Sequence, residues 1–313
     1  MKLDIIVPAY NEEGNVKKLY EKIKDVLKKE KFRIIFVNDG STDDTYKILK
    51  ELYKEDKERV RVVNFSRNFG KEAAMYAGIE KSTAKYTAII DADLQQNPKY
   101  LVEMLEFLEK NEEYDEVAMV NKDRSNYKGI GKWATRTFYK LMNSMSDVKF
   151  EEDASDFRMF RSYVRTAILK LSEKNRFTKG IFGYIGFKIK CIPYKVEERN
   201  SGKSKFNLRK TLSYGVDGIV GYSIKPLKIA TVMGFITSIL GFIYLIYLII
   251  KTIVVGIETP GFATIVCLIL FIGGIELLCI GILGEYISKV FVETKNRPIY
   301  LEKNSLGFED DIL

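Results

Sequence analysis

Not one of the 313 residues is histidine. That absence removes Ser/His/Asp and Cys/His nucleophilic machinery and every histidine-ligated metal site, so proton transfer and metal binding must rest mainly on carboxylates. Cysteine is nearly as scarce. Cys191, Cys267 and Cys279 are scattered, two of them in apolar runs, which indicates neither a disulfide framework nor a zinc site. No Gly-x-Gly-x-x-Gly supports dinucleotide binding. No signal-peptide pattern precedes the first apolar run, so a cytoplasmic setting is expected for the first two-thirds of the chain. Apolar residues, by contrast, make up 46%, sufficient for a large core. Fifty Lys and Arg against 42 Asp and Glu give a net charge of +8, which suits a phosphorylated substrate, a nucleic acid or an acidic membrane face.

Over the first 120 residues short apolar runs alternate with amphipathic, charged stretches. Leu3 to Ala9, Arg33 to Asn38, Val60 to Phe65, Tyr86 to Ile90 and Val117 to Val120 read as buried strands, and the segments near 12 to 30, 42 to 56, 70 to 82 and 98 to 110 as helices. This β-α-β alternation predicts an α/β fold with a mostly parallel sheet covered on both faces. Ligands of such sheets bind beyond the carboxyl ends of the strands. There the chain places "PAYNEE", "NDGSTDD", "SRNFGKE" and "DADLQQNP".

After residue 200 the character changes. Residues 229 to 250 form an uncharged run of 22, and 261 to 287 a second run interrupted only by Glu276 and Glu285. Each is long enough to span hydrocarbon; two buried core helices are the other reading, but core helices seldom stay uncharged on all sides for so long. Lys225 and Lys228 precede the pair, Lys289, Lys295 and Arg297 follow it, and one lysine lies in the linker, so the positive-inside rule expects both outer ends in the cytoplasm. A carboxylate at Glu276 is costly in lipid unless it is neutral or paired with a neighbouring helix. Leu208, Leu212, Val216, Ile219 and Val220 recur at helical spacing beside Lys205, Arg209 and Lys210. Such a helix can lie on the anionic leaflet or pack on the domain.

Asp91 and Asp93 stand two apart at a strand end and can converge on one side, where a hard divalent cation completed by substrate phosphate oxygens would relieve their repulsion. Alternatively Asp93 or Asn97 caps the helix opening at Pro98, with Asp91 solvated in a turn. Asp39 can accept from a base or ribose, or belong to an ordinary strand-turn-helix junction. Arg67 and Lys71 can face phosphate or serve solvated, structural roles. Asp156 can cap a helix or pair with Arg158. In "ERNSGKSKF", Arg199, Ser204 and Lys205 can present a guanidinium, a hydroxyl and an ammonium to one phosphate, or form a solvated loop.

Together "IIVPAYNEE", "FVNDGSTDDT", "SRNFGKEAAMYAG" and "IIDADLQ" resemble the nucleotide-sugar-binding half of family 2 glycosyltransferases with the GT-A fold. "DASDFRMF", "RFTKGIFGYIGF", "ERNSGKSKF" and "GEYISKVFVETKNRPIY" are similar to the polyprenyl-phosphate glycosyltransferases, particularly the bacterial bactoprenol glucosyltransferase group. The resemblance runs over about residues 3 to 301. It implies that Asp39 and Asp91 bind the nucleoside, with Pro8, Tyr10 and Glu12 along the base pocket. It also implies that Asp93, with Asp91 and Gln95 beside it, holds Mg²⁺ or Mn²⁺ on the diphosphate. Asp156 takes the position of the catalytic carboxylate. Arg199, Ser204 and Lys205 fall to the acceptor phosphate, with Arg124 and Arg136 as secondary acceptor contacts. Relatives commonly carry an acid or histidine and then two prolines where this chain has Gln96-Asn97-Pro98, and often a glycine where Ser155 stands.

The expected organisation is a cytoplasmic GT-A domain over residues 1–203 and an amphipathic juxtamembrane segment over 204–226. Transmembrane helices over 227–251 and 261–287 and a cytoplasmic tail over 288–313 follow. The expected activity is inverting transfer of a hexose, glucose from UDP-glucose, to undecaprenyl phosphate at the inner membrane. The same reaction with GDP-mannose, UDP-N-acetylglucosamine or UDP-galactose, or a catalytically silent membrane-assembly module, are the alternatives. No Gln-x-x-Arg-Trp motif occurs to suggest a processive synthase. Acidic strand ends and a membrane hairpin argue against a nucleic-acid partner. The resemblance further implies a homo-oligomer, a tetramer.

Overall fold

A computed structural model describes residues 1–121, 154–197, 219–255 and 261–308. Eight strands form one sheet in the order β7-β5-β6-β4-β1-β2-β3-β8. They are β1 (Leu3–Ala9), β2 (Phe32–Asn38), β3 (Val60–Phe65), β4 (Tyr86–Ile89), β5 (Glu116–Asn121), β6 (Ala154–Arg161), β7 (Ile189–Tyr194) and β8 (Glu302–Leu306). The first four run parallel, and their apolar residues are buried on both faces because helices cover both.

On one face lie α1 (Val16–Val26), α2 (Thr45–Glu55) and α4 (Lys99–Lys110), whose Leu19, Ile23, Leu49, Leu101 and Leu105 meet Ile5 and Val7 of β1. On the other, α3 (Lys71–Lys81), α5 (Ser162–Lys170) and α6 (Thr178–Ile185) pack on Ile6, Ile35 and Val37. Helix α3 approaches closely through small residues: a Cβ at Gly78 would stand 2.3 Å from the Ile6 side chain.

Two strands break the parallel pattern and matter for the site. Strand β6 runs antiparallel between β4 and β5, with Ile89 opposite Arg158. The pairing ends there, and Asp156 and Asp91, each two residues beyond it, are bridged by Lys71. Ser155 fastens the strand in place, its Oγ donating to the Met119 carbonyl at 2.7 Å. Strand β8 lies antiparallel on β3, so the segment expected as a tail returns to the sheet as its edge. Tyr300 stacks on Phe65 at 4.7 Å and its hydroxyl donates to Glu80 at 2.6 Å.

Between α6 and the edge strand come α7 (Lys225–Val255) and α8 (Phe262–Thr294), long and apolar enough to cross a membrane, with no part of their most apolar windows buried. They pair antiparallel: Cys279 Sγ lies 3.6 Å from the Ala230 carbonyl and Tyr286 donates to the Ser223 carbonyl at 2.6 Å. Their base is fastened to the sheet domain. Tyr222 donates to Glu173 at 3.2 Å and packs so tightly on α6 that a Cβ at Gly180 would stand 2.4 Å from its ring. Glu293, near the end of α8, accepts from the Lys174 and Asn175 backbone at 2.8 and 3.2 Å.

Candidate active site

The loops leaving the carboxyl ends of the parallel strands are stitched to one another in sequence. Asn11 donates its backbone N–H to Ser41 Oγ at 3.0 Å and accepts from the Thr42 N–H at 2.8 Å. Glu12 donates its N–H to Thr45 Oγ1 at 2.8 Å while its carboxylate accepts from Asn15 at 2.6 Å. Pro8 and Tyr10 stand half-buried beside them. The second loop is joined to the third by Asp39, almost fully buried, whose two oxygens accept the backbone N–H groups of Phe69 and Gly70 at 2.6 and 3.0 Å. Burial pushes the Asp39 carboxyl up, and the two N–H groups and Arg67 oppose it. Gly40, at φ +63°, is required here, since a Cβ would stand 2.3 Å from the Arg67 backbone.

Two carboxylates gather around the next junction. Lys71, the first residue of α3, reaches Asp91 Oδ1 at 2.7 Å and Asp156 Oδ2 at 2.8 Å. Burial favours the neutral amine, but the two carboxylates prevail and hold the ammonium above its ordinary range. Asp156 sits within β6 rather than at a helix cap, and its partner is Lys71 rather than Arg158. Burial works against its charge, yet Lys71, Arg158 and Lys179 hold its carboxyl down at about 2. Arg158 lies beneath, fully buried, its guanidinium 3.7 Å over the Phe182 ring and 3.7 Å from Glu116.

Beyond β4 exposure alternates: Asp91, Asp93 and Gln95 are half-buried, while Ala92, Leu94 and Gln96 are buried. Asp91 is held rather than solvated. Gln96 brackets it, accepting its backbone N–H at 2.9 Å and donating to Oδ2 at 2.9 Å. The cap of α4 falls to Asn97, which accepts from the Lys99 N–H at 2.9 Å and donates to Glu197 at 2.5 Å. Asp93 accepts from the Gln95 N–H at 3.1 Å, and the Gln95 carbonyl accepts from Glu197 at 2.9 Å. The Gln96-Asn97 pair therefore has defined work in fixing the aspartate loop.

Sequence reasoning left Lys71 between facing phosphate and a solvated or structural role, and missed Gln96 and Glu197. The signal for Lys71 was its place directly after Gly70, whose φ of +99° opens α3 at a strand end. Arg67 is exposed and lies 4.1 Å over the Phe69 ring. Arg124, Arg136, Arg199, Ser204 and Lys205 lie outside the described residues, as does most of the juxtamembrane segment 204–226.

The donor set fits a hard divalent cation. Asp91, Asp93 and the Gln95 amide offer only oxygen, and Asp91 remains raised by burial despite Lys71 beside it, with the charges of Asp156 and Asp93 adding to the rise. Among the described residues no three His, Cys, Asp or Glu side chains form a complete protein cage, and a cation completed by phosphate oxygens needs only one or two carboxylates.

The family model described as glycosyl transferase family 2 matches residues 4–168, and the model described as GtrB C-terminal hairpin matches residues 225–290. The uncharacterized glycosyltransferase sll0501 of Synechocystis sp. is 37% identical over 311 residues, spanning 99% of this chain and 97% of that one. The bactoprenol glucosyl transferase of Shigella phage SfX is 37% identical over 306 residues, 97% of this chain and 99% of its own. A prophage bactoprenol glucosyl transferase homolog of Escherichia coli (strain K12) is 36% identical over 305 residues, with the same coverage.

Proposed function

Because the chain belongs to glycosyltransferase family 2 and carries the GtrB C-terminal hairpin, we propose that this glycosyltransferase moves glucose from UDP-glucose to the phosphate of undecaprenyl phosphate. The observation that carries the reading is the convergence of Asp91 and Asp156 on Lys71 at the strand ends, in a chain whose next elements are two membrane-length helices. Similarity to phage and prophage bactoprenol glucosyl transferases supports the lipid and the sugar.

In this reading Asp39 and Asp91 orient the nucleoside, with Pro8, Tyr10 and Glu12 along the base. Asp93, with Asp91 and Gln95, would hold Mg²⁺ or Mn²⁺, which when bound compensates the charge of the departing diphosphate. An acceptor phosphate monoester is largely ionised at neutral pH, its second pKa being about 6. An acid held at about 2 takes up no proton there, so Asp156 acts by its charge: it orients the acceptor and stabilises positive charge developing on the sugar. The acceptor oxygen forms the new bond to C1 as the bond from C1 to UDP breaks, with inversion. Arg199, Ser204 and Lys205 bind the acceptor phosphate, assisted by Arg124 and Arg136. The basic residues at both hairpin ends favour a site at the cytoplasmic face of the inner membrane.

The test is to incubate the purified chain with Mg²⁺ or Mn²⁺, undecaprenyl phosphate and a panel of nucleotide sugars, with mass spectrometry of the lipid. A hexosyl monophosphate lipid from UDP-glucose is expected. A product from GDP-mannose, UDP-N-acetylglucosamine or UDP-galactose instead would change the sugar, and no glycolipid from any donor would sink the enzyme reading.

A further inference from the structure

Lys71 meets one carboxylate from the loop beyond β4 and one from β6, and is itself held from both flanks. Gly70, before it, gives its N–H to Asp39 at 3.0 Å. Glu72, after it, accepts both the backbone N–H and the hydroxyl of Thr178, the residue that opens α6. The backbone at Lys71 is thus tied to the β2 loop on one side and to α6 on the other. From that fixed point its side chain reaches Asp91 at 2.7 Å and Asp156 at 2.8 Å. A lysine serving only solubility would have neither the two partners nor the anchored flanks.

We propose that Lys71 is a positioning residue for sugar transfer, tying Asp91 on the donor side to Asp156 on the acceptor side so that the two carboxylates keep one separation as the bond at C1 is exchanged. This rests on the reading of the site given under Proposed function. Like charges confined this closely separate when the intervening cation is lost. Asp156 then leaves the place from which its charge stabilises the reacting sugar. Loss of Lys71 therefore acts through Asp156, and it falls on kcat rather than on KM for the lipid, whose phosphate-binding residues lie elsewhere in the chain.

The experiment is a kinetic cycle on the full chain with UDP-glucose, Mg²⁺ and undecaprenyl phosphate, comparing wild type, Lys71→Met, Asp156→Asn and the double variant. Lys71→Met is expected to lower kcat about tenfold or more while the KM for the lipid stays within about threefold. Added to Asp156→Asn it should cost no more than about a further twofold, because the group it positions is already disabled. Wild-type kcat in Lys71→Met, or losses that multiply in the double variant, would overturn the proposal. Lys71→Gln, which keeps length and polarity without charge, is run beside it. If neither folds, by thermal melting in detergent, Lys71 is a stability residue and the proposal is wrong. A wild type silent with every donor overturns the underlying function as well, whereas an active wild type with indifferent Lys71 variants overturns the positioning role alone.

Discussion

Glu116 on β5 and Arg158 on β6, both almost fully buried, give a pH-dependent stability that can be worked from the structure. Their nearest charged atoms are 3.7 Å apart and make no hydrogen bond with each other. Burial pushes the Glu116 carboxyl from 4.5 up to about 7, outweighing the attraction of Arg158. The folded state therefore binds a proton that the unfolded chain has released. Stability contributed at low pH is lost as pH rises through the interval from 4.5 to about 7. At 1.36 kcal/mol per unit the loss is about 3 kcal/mol. For a domain of this size that corresponds to roughly 6–12 °C in Tm. Glu116→Gln keeps the shape and removes the titration, so its Tm should hold while the wild type's falls between about pH 5 and pH 8. A buried ion pair that was net stabilising would behave oppositely, with the variant losing about 3–5 kcal/mol wherever Glu116 is ionised. Thermal unfolding of both proteins in one detergent across that range decides. Parallel profiles, or a variant that is less stable at high pH, would refute the reasoning.

Asp93→Asn should lower turnover by about 100-fold or more through loss of a cation-binding carboxylate, with an unchanged melting curve; near-normal activity would remove Asp93 from the metal site. Gly40→Ala forces a side chain into the Arg67 backbone at φ +63°. It should cost about 2 kcal/mol or more and weaken UDP binding by calorimetry, since the same turn carries Asp39. Tyr300→Ala removes the stack on Phe65 and the bond to Glu80, costing about 2–3 kcal/mol. Hydrogen exchange should then quicken in β3 and β8, and unchanged protection would show that the edge strand does not depend on this anchor.

The parallel half of the fold was legible because its signals are local. Leu3–Ala9 and Val60–Phe65 are apolar runs bounded by polar turns, and both strands have the predicted limits. No strand was read over 154–161, so neither β6 nor its antiparallel course was expected, and strand direction has no such local signature. Strand β8 begins Glu-Lys-Asn, and an edge strand of that composition shows no apolar alternation. The acidic residues of the site were readable as types at strand ends, but their partners were not. Lys71 and Asp156 are 85 residues apart in sequence, and only the pairing of β4 with β6 brings Asp156 near the end of β4 where Asp91 lies. The departure at Gln96-Asn97 reads as a local oddity in sequence and as a clamp plus a helix cap once the fold is known.

For the proposed single displacement at C1 by a lipid phosphate, the released nucleotide and the product's anomeric configuration report together. With UDP-glucose and undecaprenyl phosphate, one UDP for each lipid formed, a single phosphate in that lipid, and a β-linked glucose by NMR coupling from the α-linked donor are expected. Release of UMP with a lipid diphosphate, or a product that keeps the α configuration, would contradict it.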